Sequence, residues 1–322
     1  MDERLIDLHL HLDGSLSVAS VRKLAAMQGI KIPKDDREIL KQLKVDENCS
    51  SLEEYLQKFS YALSFLQTAE AIEESVYTLL EELKALGLVY TEVRFAPQLH
   101  KEKGLTQREV VQAAIRGRDR SSLAANLILC CMRGADTHKE NMETVAVTGE
   151  YLHRGVCGVD LAGDEAHFPA ELHKEEFRLA KELQIPITIH AGEADGPESI
   201  WQALKLGADR IGHGVRAMED DHLLKELAER KIALELCPTS NLDTHVYERI
   251  EDYPIRRLLD AGICVTINSD DMAVSGTDVK KELDLMRRVF DLSEKEMFEI
   301  KKNAVRSSFA DEETKRYILE EL

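Results

Sequence analysis

The residues best placed to do chemistry are histidines and acids at the ends of apolar runs. The first such run reads Asp7-Leu8-His9-Leu10-His11-Leu12-Asp13-Gly14-Ser15. His9 and His11 lie two apart on a β-type run, so their side chains share one face while Leu8, Leu10 and Leu12 take the other. Two imidazoles aimed into one interior need a partner, and a divalent cation or a hydrogen-bonded core network can each supply it. A second run ends Ile187-Thr188-Ile189-His190-Ala191-Gly192-Glu193, with a carboxylic acid three residues past its histidine. A third, Arg210-Ile211-Gly212-His213-Gly214, flanks its histidine with glycines that allow close backbone approach. A fourth ends Thr266-Ile267-Asn268-Ser269-Asp270-Asp271. Its two adjacent carboxylates point in different directions and can hold different tasks, although Asp is also a common helix cap. Taken together, His9, His11, His190 and Asp270 make a three-nitrogen, one-oxygen set with room for water, which suits a catalytic zinc site with an open position.

Such a set works only if the fold brings the four runs together at one end. Eight β-rich runs are expected at 5–10, 88–95, 126–132, 156–161, 186–190, 210–214, 232–237 and 263–268. Amphipathic helical segments alternate with them, several ending in glycine, as at Gly87, Gly207 and Gly262. Capping-box pairs stand at Ser51/Glu54, Thr106/Glu109 and Ser293/Glu296. Strand alternating with helix implies parallel pairing through right-handed crossovers, and eight such units imply an α/β fold of the (β/α)8 TIM-barrel type. An open doubly wound sheet is the competitor, but no G-x-G-x-x-G follows the first run. A closed barrel also makes the first and eighth strands neighbours, so His9 and Asp270 can meet. The long stretch 17–85 is a largely helical insertion after the first strand, and further helices follow the eighth. One domain over residues 1–322 is expected.

The bulk properties narrow the partners. The chain has 322 residues, 42 Lys+Arg and 60 Asp+Glu, a net charge of −18. That charge argues against a nucleic-acid or anionic-membrane partner, because both need Lys/Arg to displace counterions. Neutral or cationic small molecules fit better. The start MDERLIDLHL lacks a basic, then apolar, leader pattern, and the uncharged stretch 121–132 is too short to span a bilayer. Six cysteines form no C-x-x-C pair and sit mostly in apolar runs, as buried thiols of a reducing compartment do; a cytoplasmic location is expected. The H-x-E with P-C-x-x-C signature of one zinc deaminase class is absent. Oligomeric state is not legible.

The ordered motifs resemble the adenosine deaminases, zinc-dependent (β/α)8 enzymes of the amidohydrolase type. They are His9-Leu10-His11-Leu12-Asp13-Gly14-Ser15, Asp160-Leu161-Ala162-Gly163-Asp164-Glu165, His190-Ala191-Gly192-Glu193, Ile211-Gly212-His213-Gly214, Cys237-Pro238-Thr239-Ser240-Asn241 and Ser269-Asp270-Asp271. The resemblance implies one Zn2+ per chain on His9, His11, His190 and Asp270, and a purine nucleoside substrate. It implies Glu193 as the acid that protonates purine N1 and His213 as the residue orienting the attacking water. Substrate contacts are implied for His11, for Asp271 at N7, for the Gly163 N–H at N3 and for Asp13 at the ribose 5′ hydroxyl. Leu52, Tyr55, Leu56 and Phe59 resemble a hydrophobic lid helix. Their i, i+3, i+4, i+7 spacing puts them on one helical face, which is equally the pattern of core packing. The implied activity is hydrolytic deamination of adenosine or 2′-deoxyadenosine to inosine or 2′-deoxyinosine plus ammonia, in purine salvage. Deamination of adenine or a modified adenosine is the alternative, with Asp13, shorter than the Glu of adenine-specific relatives, favouring a nucleoside. A metal-dependent phosphoesterase also opens with H-x-H, but no lysine stands at a strand end to bridge two metals; Lys174 and Lys181 lie in helical segments. Two departures concern the pocket: Met272 where the family usually has Pro, and Asp243-Thr244-His245-Val246-Tyr247 where small residues are common. The net charge disfavours an AMP-type substrate, unless Arg94 and Arg133 form a local basic pocket for its phosphate.

Overall fold

The eight apolar runs form eight parallel strands. In the computed structural model, which describes residues 4–46, 49 and 51–322, they are β1 Leu5–His11, β2 Leu88–Phe95, β3 Ala124–Met132, β4 Val156–Ala162, β5 Thr188–Ala191, β6 Arg210–His213, β7 Ala233–Leu236 and β8 Cys264–Ile267. The order is sequential within two four-stranded runs, β1-β2-β3-β4 and β5-β6-β7-β8. Two narrow seams join them. Val159 bridges Ile187 between β4 and β5, with the Val159 N–H on the Pro186 carbonyl at 3.0 Å. Leu10 bridges Asp270 just past β8; His11 N–H donates to Asp270 O, and Asp270 N–H to His9 O, each at 2.8 Å. These two seams close the ring, which decides for the barrel over an open sheet.

Helices clothe the ring because each strand is buried on both faces. Leu5, Leu10 and Leu12 pack with the main core, while Ile6 and Leu8 pack with Ala304, Val305 and Ile318 of the helices after β8. Those helices span Val279–Phe290, Glu294–Ser307 and Glu312–Glu321. Thr106 and Ser293 form the reciprocal capping boxes with Glu109 and Glu296, and Ser51 accepts from the Glu54 N–H at 3.2 Å. Gly207 and Gly262 end their helices at φ 93° and 74°, a backbone that an L side chain adopts only under strain. The insertion after β1 holds helices Val18–Gln28, Asp36–Leu43, Leu52–Leu56, Phe59–Leu63 and Ala69–Ala85. The expected lid helix is interrupted. Residues 57 and 58 separate two short helices, so the four lid positions do not lie along one continuous face.

The barrel interior is charged rather than purely aliphatic. Arg94, fully buried on β2, donates to Asp160 Oδ2 at 3.0 Å, to Glu235 Oε2 at 2.8 Å and to the Leu8 carbonyl at 2.6 Å. Arg210 reaches the other Glu235 oxygen at 2.6 Å and Glu92 at 2.7 Å. Burial opposes the charge on Glu235, yet Arg94 and Arg210 hold its carboxyl well below the usual range. Arg94 is therefore spoken for, and the expectation that it could meet a substrate phosphate is corrected. Removing it leaves two buried carboxylates short of their counter-charge. Arg94→Met should destabilise the fold by about 3–5 kcal/mol, measured by equilibrium chemical denaturation. A loss under about 1 kcal/mol, the range of a surface pair, would contradict the assignment.

Candidate active site

The carboxyl ends of the strands surround a cavity of about 270 Å3, and most of the sequence-selected residues reach it. His11, Asp13, Gly163, His190, Glu193, His213, Asp270 and Asp271 line it, and Leu52, Tyr55, Leu56 and Phe59 close it from above. His9 lies beneath, fully buried. Among the described residues, no lysine or arginine lines this cavity. Arg133 turns away, its guanidinium donating to the carbonyls of Phe168 and His190 at 2.6 Å each, so it is not a phosphate contact either.

At the floor, donor atoms converge without hydrogen-bond logic of their own. Asp270 Oδ1 is 3.3 Å from His9 Nε2 and 3.4 Å from His11 Nε2. His11 Nε2 stands 3.2 Å from His190 Nε2. His9 Nε2 is buried with no hydrogen-bond partner. Bonds of about 2.0–2.1 Å in a tetrahedron put donor atoms about 3.3 Å apart, so these spacings are those of ligands round one cation. The far sides of two rings are fixed by acids: His9 Nδ1 lies 2.8 Å from Glu235 Oε2, and His190 Nδ1 2.9 Å from Asp160 Oδ2. With Nδ1–H donated to a carboxylate, each Nε2 lone pair faces the cluster, the usual support of a metal-binding histidine. Donors from His9, His190, His213 and Asp270 also lie within 4.8 Å of one another, so five side chains crowd the spot.

His213 differs from the other three histidines. Tyr253 donates its hydroxyl hydrogen to Asn241 Oδ1 at 3.0 Å, which turns the Asn241 amide nitrogen to His213 Nδ1 at 3.1 Å. Nδ1 is then an acceptor, and the ring proton sits on Nε2. That Nε2 faces Glu193 Oε2 at 3.5 Å and Asp270 Oδ2 at 3.8 Å. Both His213 and Asp270 have left-handed backbones, with φ of 59° each, a strain that only a well-packed surrounding maintains.

Glu193 is buried, and its loop is held by a second acid. Glu165 accepts the backbone N–H groups of Gly192, Glu193, Ala194 and Asp195 at 2.6–3.2 Å, and the Ser199 hydroxyl at 2.5 Å. Thr244, from the 243–247 stretch, puts its Oγ1 3.4 Å from Glu193 Oε1. Burial, with Asp270 and Glu165 nearby, pushes the Glu193 carboxyl well above the ordinary range. Burial likewise raises Asp13 to about 6. Asp271 turns away from the histidines. Gly14 backs it so closely that a Cβ there would sit 1.7 Å from Asp271 Oδ1. Met272 puts its N–H on Ser15 Oγ at 3.2 Å, a bond a proline could not make.

A family model described as adenosine deaminase matches residues 5–322. The chain belongs to the adenosine deaminase family. It is 43% identical over 324 residues to a Haemophilus ducreyi protein named adenosine deaminase, covering 98% of this chain and 94% of that one. Among solved structures, the adenine deaminase of Arthrobacter aurescens superposes with a TM-score of 0.87 at 26% identity, covering 98% and 97% of the two chains. The N6-methyl-AMP deaminase of Arabidopsis thaliana gives 0.85 at 25% identity, covering 99% and 95%. Adenosine deaminases and their amidohydrolase kin are metal-dependent hydrolases of C–N bonds, and the histidine–aspartate cluster is a fitting metal centre. Sequence reasoning passed over Glu235, Asn241 and Glu165. The first was visible as a lone acid inside the apolar run Ala233-Leu234-Glu235-Leu236; the other two stood in quoted motifs without a role.

Proposed function

We propose that the chain, acting as one domain over residues 1–322, is a zinc-dependent adenosine deaminase that hydrolyses adenosine or 2′-deoxyadenosine to the inosine and ammonia. The observation that carries this reading is the cluster of four donors at the floor of a cavity whose wall presents the buried Glu193 carboxyl. His9, His11, His190 and Asp270 would hold one Zn2+ per chain. The spacing of their donors supports that choice, and the proton on His213 Nε2 argues for His213 as a hydrogen-bond donor rather than a ligand. A divalent cation there lowers the pKa of a water molecule from 15.7 to about 7 and so supplies a nucleophile at neutral pH.

The protein's own groups do the rest. His213 Nε2–H orients the attacking water. Glu193, kept neutral by burial, gives its proton to purine N1, which makes C6 electrophilic. The C6–O bond forms and the C6–N bond breaks; of the water's two protons, one passes to the amino group, which leaves as ammonia, and one returns to the Glu193 carboxylate. The Gly163 N–H donates to N3, the Asp271 carboxyl, whose pKa burial and Asp270 push well up, donates its O–H hydrogen to N7, and Asp13 holds the 5′ hydroxyl. Leu52, Tyr55, Leu56 and Phe59 exclude bulk water, which strengthens each of these interactions. The absence of a cationic side chain from the described lining disfavours a 5′-phosphate, whose charge would be buried unpaired. We also infer a cytoplasmic location from the free thiols, five of them buried. None of the described helices is long and apolar enough to cross a membrane.

Ultraviolet absorbance with adenosine, adenine and AMP tests the reading. Adenosine should be consumed with release of ammonia, and AMP at a kcat/KM lower by at least tenfold, or about 1.4 kcal/mol. Glu193→Gln should lower kcat by about 10²–10⁴-fold with metal retained. Only the protonated acid works, so wild-type kcat should fall as pH rises through the elevated Glu193 pKa, and that limb should vanish in the variant. Near wild-type turnover of Glu193→Gln would remove Glu193 from the reaction.

A further inference from the structure

The roof of the cavity is tied to one of its functional acids through a single hydroxyl. Tyr55, on the short helix Leu52–Leu56, is 2% exposed. Its Oη lies 3.0 Å from Asp271 Oδ2 and 2.9 Å from Ser275 Oγ. Asp271 Oδ1 is buried, makes no hydrogen bond and belongs to a residue that lines the cavity. One oxygen of this carboxyl group is therefore engaged by the roof, and the other has no hydrogen-bond partner among the described residues. Gly14 presses against that second oxygen from behind, which narrows the rotation open to the group. The same part of the insertion is fastened nearby, where the Val45 N–H donates to the Val274 carbonyl at 2.9 Å. The Tyr55 ring also packs beside Phe59, at 6.2 Å between centroids, so phenylalanine would fill the same apolar space. What phenylalanine would lack is the hydroxyl that joins the short helix Leu52–Leu56 to Asp271 and Ser275.

We propose that Tyr55 is a positioning residue whose hydroxyl couples seating of the insertion over the cavity to the orientation of Asp271. The inference rests on the reading of Asp271 as the partner of purine N7. With the roof seated, Oδ2 is satisfied by Tyr55 and Oδ1 faces the imidazole edge of the base. With the roof lifted, Asp271 loses its donor and its fixed rotamer together. Base recognition and closure then favour each other, because each supplies half of the same hydrogen-bonded pair.

The test is Tyr55→Phe, read with two ligands that differ only at N7. Its kcat/KM for adenosine should fall about tenfold, as expected for losing a hydrogen bond to a charged or acidic group, with most of the change in KM. The inhibition constant of 7-deazaadenosine, which offers no N7, should move less than about threefold. In an Asp271→Ala background the second substitution should add no further loss. Equal losses on both ligands, additive losses with Asp271→Ala, or an unchanged Tyr55→Phe enzyme would each overturn the coupling. A wild-type protein that leaves adenosine untouched would instead overturn the deaminase reading itself. A working wild type matched by Tyr55→Phe sinks only the coupling.

Discussion

One buried guanidinium underlies the whole site. Arg94 bridges Asp160 and Glu235, and those two acids hold His190 and His9 by their Nδ1 atoms. Two carboxylates inside a barrel are costly unless a charge of opposite sign is equally buried. Arg94, helped by Arg210, meets that need, and the acids then fix the tautomer and tilt of the imidazoles. The histidine cluster is thus the upper layer of an ionic core, and the acids and the arginine that fix its rings come from strands β2, β4 and β7.

Closure of the ring is the second constraint. The pairing of Leu10 with Asp270 is the point where the first and eighth strands meet, and it sets Asp270 beside His9 and His11. Asp270 there has a left-handed backbone, as has His213 at the end of β6. Such conformations persist where surrounding contacts over-determine them. Gly14 shows the tolerance involved, since no side chain could stand where it packs on Asp271. Above this floor the short helices of the insertion put Leu52, Leu56, Phe59 and Leu63 on the cavity, and the barrel puts histidines and acids on it.

Much of this could be read from the chain alone, for identifiable reasons. Parallel barrel strands are buried on both faces, so they appear as short apolar runs, and the eight expected runs match the eight strands to within about two residues at each end. His9 and His11 were legible because a period of two has one meaning in a strand. The pairings across the barrel were not legible. Nothing in spacing links Arg94 to Glu235 or Asn241 to His213, and a buried arginine looks in sequence like a free one, which is why Arg94 and Arg133 stood as a candidate basic pocket. The four lid positions came from the family resemblance, and the helical period that accompanied it is interrupted at 57 and 58. They still meet at the cavity because two short helices converge there. The Tyr55 hydroxyl escaped notice because hydrophobic periodicity counts tyrosine as apolar surface and ignores its polar end.

The central claim is that four side chains from β1, β5 and the end of β8 grip a single divalent cation. Anomalous X-ray scattering at the zinc edge, from crystals of the intact protein grown with zinc, tests it most directly. The account predicts one strong peak per chain, bonded to His9, His11 and His190 through Nε2 and to Asp270. No peak at that position, two peaks there, or a peak held by His213 in place of His11 would contradict it.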